Sequence, residues 1–312
     1  MEINDELFER IPKDKKKLNE IVRPSETYFQ DAWRRLKENK LAMGGLFFVI
    51  FITIAAIVVP MLSKYNYYSQ NFKLANQNPS AAHWFGTDKF GRDEFVRILY
   101  GARISLTVAY IVSILNLVIG ILYGSISGYA GGNVDNVMMR IVDVIWSVPS
   151  MIYVILLMVI LNKPDVPAKD GGMSSIIIAM AISFWVVMAR IVRSQIITLK
   201  EQEFVLAAKI SGASSMRIIL KHLIPNSMGP IIVTMTMSVP SAIFTEAFLS
   251  FIGLGISAPK ASWGSLASEA LDGYQLFPLQ LFFPAMAICI TILAFNFLGD
   301  GLRDALDPKM RK

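Results

Sequence analysis

The residues able to do chemistry are few and poorly placed for it. Only two histidines occur, His83 and His222, and they lie in separate polar segments. A zinc site needs clustered nitrogen or sulfur ligands, which this spacing does not offer. A phosphate-cradling Walker A loop ends in lysine followed by serine or threonine, and no lysine here has that neighbour. Intramembrane proteolysis would require serine with histidine, or paired aspartates. No histidine falls within an apolar run, and Asp143 has no second aspartate to share a proton with there. The sequence therefore offers no catalytic residue, no metal ligand set and no cofactor site of its own. What remains is Glu246, set in the run Phe244-Thr-Glu-Ala-Phe-Leu-Ser-Phe251. An ionisable group at membrane depth is costly and faces either the protein interior or a water-filled path. Interior hydrogen bonding and contact with a passing substrate both fit. Thr234, Met237 and Ser238 precede it on the same run, a soft polar face suited to a tolerant passage. Core packing is the plainer role for any single methionine.

The elements that must position these groups are membrane spans. The chain is 54% hydrophobic over 312 residues, and an apolar helix of about 20 residues crosses a bilayer core. Apolar runs predict six spans, near 41–62, 104–128, 138–161, 174–193, 228–251 and 279–299. The fold class is all-α integral membrane protein. With the N-terminus inside, 21 of the 30 Lys and Arg residues fall on the cytoplasmic side, as the positive-inside rule requires. Both termini are then cytoplasmic, and the net charge of +6 reflects topology rather than nucleic-acid binding. The lone Cys289 lies in the last run and implies no disulfide. Nothing in the polar first forty residues resembles a cleavable signal peptide.

Two regions result: a cytoplasmic tail over 1–40 and a six-span body over 41–312. Within the tail, Ser25 is placed to cap an interfacial helix with Phe29, Trp33 and Leu36 on one face and Arg34, Arg35 and Lys37 on another. An external loop over 63–101 holds enough aromatic residues, among them Trp84, Phe85, Phe90 and Phe95, to pack. Gly120, Gly124 and Gly128 recur every fourth position, which lets a neighbouring helix approach closely. Pro149 predicts a kink in the third span, and Ser262 is placed to cap a short helix starting near Trp263.

Between the fourth and fifth runs lies a loop over 199–225 with helical character from Lys200 to Ile210. Phe204, Ala207, Ala208 and Ile210 give it a small apolar surface, and Gly212 can take positive φ to turn the chain. A second short helix over 214–223 stops near Pro225, which is expected to begin the fifth span. Lys209, Arg217 and Lys221 could pair with acids at the rim of a partner groove. This loop resembles the ATPase-docking loop of permease subunits of ATP-binding-cassette (ABC) importers, E-A-A-x3-G-x9-I-x-L-P. Ala207, Ala208, Gly212 and Pro225 match at the right spacing, whereas Leu206, His222 and Ile224 depart from it. Further segments are similar to the peptide and nickel branch of that family: His83–Arg92, Arg97–Leu106, Arg140–Asp143, Phe244–Gly255, Ala261–Gly264 and Asn296–Arg303. The likeness is nearest to the C-type oligopeptide permease of Gram-positive bacteria.

The resemblance implies a type I importer fold in the cytoplasmic (inner) cell membrane. It implies a second, B-type permease, two cytoplasmic ATPases carrying ATP and Mg, and an extracellular substrate-binding protein that delivers peptide. Trp84, Arg92, Asp93 and Trp263 would face that binding protein. Membrane lipid surrounds the spans, and nucleic acid has no part. Dipeptides, nickel or glutathione are alternative cargoes. A self-sufficient channel or secondary transporter is the alternative of a different class, and the absence of buried charge pairs for ion coupling counts against it.

Overall fold

A computed structural model describes residues 27–161 and 170–307, and within them the regular structure is helical. The start is α1 (Tyr28–Glu38), capped by Thr27 with Gln30 completing a capping box. The Ser25 cap expected from sequence lies outside the described residues. Leu36 is buried on the inner face of α1, while Phe29 and Trp33 remain exposed beside Arg34 and Lys37. The Tyr28 hydroxyl donates to the Leu306 carbonyl at 2.8 Å, tying this helix to the far end of the chain.

Among the described residues, five helices are long and apolar enough to cross a membrane: α2 (Lys40–Leu62), α3 (Glu94–Ala130), α6 (Met173–Lys200), α10 (Met228–Phe251) and α12 (Pro278–Leu306). The expected third span differs most from the reading of the sequence. Its residues form α4 (Gly132–Ser147) and α5 (Ser150–Leu161), bent by 84°, so Pro149 marks a break rather than a kink. Val148, the residue before that proline, is extended at φ −102° and ψ 135°. Clash with the proline ring disfavours helical geometry at that position, and the helix must restart beyond it. Counted as one span, the bent pair brings the total to six.

Three other spans run longer than their apolar cores, α12 continuing from the expected 299 to Leu306. The helix expected from 104 begins at Glu94, because Asp93 accepts from the Val96 amide at 2.8 Å and caps it. The loop expected over 63–101 therefore ends at Asp93. The helix expected to end at 193 continues to Lys200, since Arg190 and Arg193 pair with Asp143 and Asp135. Hydropathy cannot reveal charged turns that are neutralised by another helix.

The α3–α6 seam forms the centre of the bundle. A Cβ on Gly120 would sit 2.5 Å from the Met188 side chain, one on Gly124 2.4 Å from the Ala189 carbonyl oxygen, and one on Gly128 2.9 Å from that of Arg193. Those distances are too short for any side chain, so the glycine triplet sets how closely the helices approach. Val108, Val112, Met180, Ile243 and Phe295 fill the adjoining core.

Candidate functional site: a cavity and an elbow

Three parts of the molecule could act on a substrate or partner. The first is the elbow after α6. Glu201 and Gln202 break the helix, so the run expected from Lys200 to Ile210 is shortened to α7 (Glu203–Ile210). Gly212 then adopts φ +78°. Its N–H donates to the Lys209 carbonyl, and the Ala213 N–H to that of Ala208, both at 3.0 Å. This is a Schellman stop, which favours glycine at the left-handed position. Ser214 caps α8 (Ser215–Ile218), a π turn over 219–223 follows, and α9 (Ile224–Asn226) leads to α10. Pro225 therefore lies in α9, and the fifth span starts three residues later at Met228.

The elbow has two faces. Val205, Ile218 and Leu223 are buried against Val192, Ile196 and Ile231, which holds it to the bundle. Ala208 is half-buried against the same cluster, so it belongs to the anchor more than to an outward surface. On the other side Phe204, Leu206, Met216 and Leu220 are exposed, and Ile210 is 80% exposed. Ala207, Lys209, Arg217 and Lys221 flank them in solvent. Val205 was not singled out in the sequence, and Leu206 only as a departure from the docking-loop pattern. The alternation of apolar positions across a helix as short as α7 gives too little signal to separate anchor from surface.

The second part is a cavity of about 730 Å³ where α4 breaks from α5. Trp146, Ser147, Pro149 and Tyr153 wall it on one side, and α6 contributes Ser183 and Phe184. Thr234, Met237, Ser238 and Ser241 of α10 and Asn116 of α3 complete it. Three of the four expected passage residues thus come together. The Ser238 hydroxyl also lies 3.0 Å from Ser113 Oγ. No lysine, arginine, aspartate or glutamate lines the cavity.

Glu246 is elsewhere. It is 0% exposed, and its carboxylate oxygens accept hydroxyls from Ser105 at 2.6 Å and Ser250 at 2.7 Å. Ser105 Oγ also accepts from the Trp263 amide, and Ser250 Oγ from that of Ile256. Glu246 is therefore a polar strut joining α3, α10 and α11 (Trp263–Ala270), and does not line this cavity.

The third part is the cap formed by residues 63–93 and α11. Asp88 accepts from Arg92 at 2.6 Å and from Arg97, and both arginines reach Glu269 on α11. Asp93 also meets His83 Nδ1 at 2.8 Å. Tyr67 stacks on Tyr100 and Phe85 on Phe283. Of the four expected binding-protein contacts, only Trp84 presents its surface, at 64% exposed. Trp263 is 0% exposed, with its indole N–H donating to the Ile98 carbonyl. Asp93 is buried as a helix cap, and Arg92 is mostly enclosed by its two acids. These three brace the cap and have little surface left for a partner.

Comparison with known proteins agrees with this architecture. The family model for the binding-protein-dependent transport system inner membrane component matches residues 120–312. The model for the N-terminal TM domain of oligopeptide transport permease C matches residues 27–79. The oligopeptide transport system permease protein OppC of Bacillus subtilis is 53% identical over 94% of this chain and 93% of its own length. The dipeptide transport system permease protein DppC of the same organism is 49% identical over 100% of this chain and 95% of its own. OppC of Escherichia coli K12 is 42% identical, covering 91% and 92%. Among solved structures, a chain of the MetNI methionine ABC transporter in an inward-facing form aligns with a TM-score of 0.53 at 17% identity. It covers 68% of this chain and 97% of that one, a likeness of fold alone. A multi-pass helical bundle with this elbow and these relatives is a membrane-embedded transport subunit: the chain belongs to the family of binding-protein-dependent transport system inner membrane components.

Proposed function

We propose that this chain is the permease subunit of an ATP-driven importer for oligopeptides, with both termini in the cytoplasm. The observation that carries the reading is the two-faced elbow. Val205, Ile218 and Leu223 fix it to the bundle while Leu206, Ile210 and Met216 stay exposed. An apolar surface on a polar loop suits a partner better than water. Two ATPase subunits, binding ATP and Mg themselves, would seat Phe204, Ala207, Lys209, Gly212, Arg217 and Pro225 in their grooves. Closure of the ATPase pair would move the elbow and, through its buried anchor, α6 and α10. A second B-type permease would complete the passage, and an extracellular binding protein would deliver cargo at the capped end. Peptide is favoured as cargo because the relatives above are named for oligopeptide and dipeptide transport. The uncharged cavity also suits peptides of varied sequence.

The test is uptake of labelled dipeptide, pentapeptide and nickel in cells lacking only this chain and in cells with it restored. Pentapeptide uptake should return with the wild type and fail with Gly212→Pro. Restoration of dipeptide or nickel uptake alone would reassign the cargo. Uptake persisting after the partner ATPases are deleted would point to a self-sufficient transporter.

A further inference from the structure

A second cavity, of about 430 Å³, lies between the last turn of α2 and the cap formed by residues 63–93. Val58, Leu62, Phe95 and Val96 give it an apolar wall. That wall does not stop at the cavity. Phe47, Phe51, Ile54, Val58 and Leu62 are all exposed, at helical spacing along one face of α2. A hydrocarbon chain lying on this face of the span leads directly into the cavity.

The polar groups of the wall are donors. Lys64 is exposed and has no acid partner among the described residues, and its ammonium lies 4.9 Å from the centroid of the Tyr65 ring. Ser63, Tyr65 and Trp84 add two hydroxyls and an indole N–H with no acceptor among the described residues. The one carboxylate there, Asp93, is buried and already engaged. It accepts from the Val96 amide and meets His83 Nδ1, each at 2.8 Å. Lysine, tyrosine and tryptophan anchor proteins where a span meets the headgroups, and a lysine at that depth attracts anionic lipid. An acidic loop of a partner protein would meet Lys64 but leave uncovered the apolar face that continues down the span.

We propose that this cavity holds an anionic phospholipid of the leaflet on the cap side, with its phosphate at Lys64 and one acyl chain against Val58, Leu62 and Val96. The site is separate from the passage and the elbow and does not depend on the cargo. A lipid held there bridges α2 to the cap at Ala82 and Trp84.

The test uses the complete transporter in phosphatidylcholine vesicles containing a trace of phosphatidylglycerol with a diazirine on one acyl chain. After irradiation, peptide mass spectrometry locates the adducts. They are expected within 58–65 and 81–96, and excess unlabelled phosphatidylglycerol should remove them where added phosphatidylcholine does not. Lys64→Glu should lower them by about fivefold or more, the effect of one lysine near an anionic surface. Lys64→Arg should keep them. Val58→Trp, which fills the cavity, should remove them while adducts on 47–54 persist and show that the variant is still in the bilayer. Adducts undiminished in Lys64→Glu, or removed equally by phosphatidylcholine, would mean ordinary bilayer contact and overturn the proposal. Adducts on 47–54 with none at the cavity would mean that a protein partner covers it, which overturns the proposal as well.

Discussion

The two ends of the bundle treat charge and apolar surface in opposite ways. At the end formed by residues 63–93 and α11, Arg92 and Arg97 are enclosed by Asp88 and Glu269, and the tyrosine and phenylalanine rings stack on the spans. At the elbow, Lys209, Arg217 and Lys221 stand in solvent beside Leu206, Ile210 and Met216. One end pairs its arginines with acids from within the chain, while Trp84, Phe72 and Tyr68 stay exposed there. The other leaves apolar side chains in water, where they contribute nothing to folding. The contrast separates a structural cap from a surface suited to a partner, and mutations at the two ends should fail in different ways.

The largest effect should come from the cap. Asp88→Ala leaves Arg97 buried without its nearest acid, a loss of about 3–5 kcal/mol for a broken buried pair. The expected outcome is a sharply lowered melting midpoint in detergent and little chain in the membrane. A midpoint equal to wild type would break the contrast, because the cap would then not depend on its own charges. Replacing Asp88, Arg92, Arg97 and Glu269 together with apolar residues should cost much less than Asp88→Ala alone, since neither arginine is left without its acids.

Glu246→Leu comes next. It leaves the Ser105 and Ser250 hydroxyls without their acceptor, and each buried orphan costs about 1–3 kcal/mol. Glu246→Gln keeps an acceptor and should lie nearer wild type in both stability and uptake. If Glu246→Gln abolished uptake at unchanged stability, the strut would have a direct part in transport.

At the elbow, Ile210→Glu should leave the melting midpoint unchanged, because the residue is 80% exposed. Peptide uptake and co-purification of ATPase should fall by about tenfold or more, equivalent to about 1.4 kcal/mol of docking. Val205→Glu provides the sharper pairing: it breaks the anchor, so stability and uptake should fall together. A loss of stability in Ile210→Glu would mean that the exposed face has a role in folding.

The smallest effect is expected at Lys89. Its ammonium lies 2.8 Å from Asp272 at the surface and holds that carboxyl below its ordinary range. Any stabilisation from a lowered carboxylate is present above its unfolded pKa and is lost as pH falls through the folded value. Both groups are exposed, and surface pairs of this kind contribute little. Lys89→Ala should show no change in melting midpoint that can be measured at neutral pH.

Much of the molecule was legible from local pattern. Apolar length marked the spans, the four-residue glycine spacing marked the α3–α6 seam, and Ser262 and Gly212 marked a cap and a turn. These signals lie within a few residues of one another and need no knowledge of the partner helix. The charged turns of α3 and α6 were harder to read. Arg97 and Arg193 look like loop residues until Asp88, Glu269 and Asp135 are seen to neutralise them.

The sequence by itself determined that this is a multi-span helical protein with a small-residue elbow, because composition and spacing decide membrane length and turn geometry. Only the tertiary structure decided which polar groups are structural and which are available. Glu246 and Ser105 are 141 positions apart, and Arg92 and Glu269 are separated by 177. Pairings at such separations follow from how the helices are stacked and cannot be read from the neighbours of either residue. The same stacking places Asn116 beside Thr234 and Ser238 at the break before Pro149, turning scattered polar residues into one cavity.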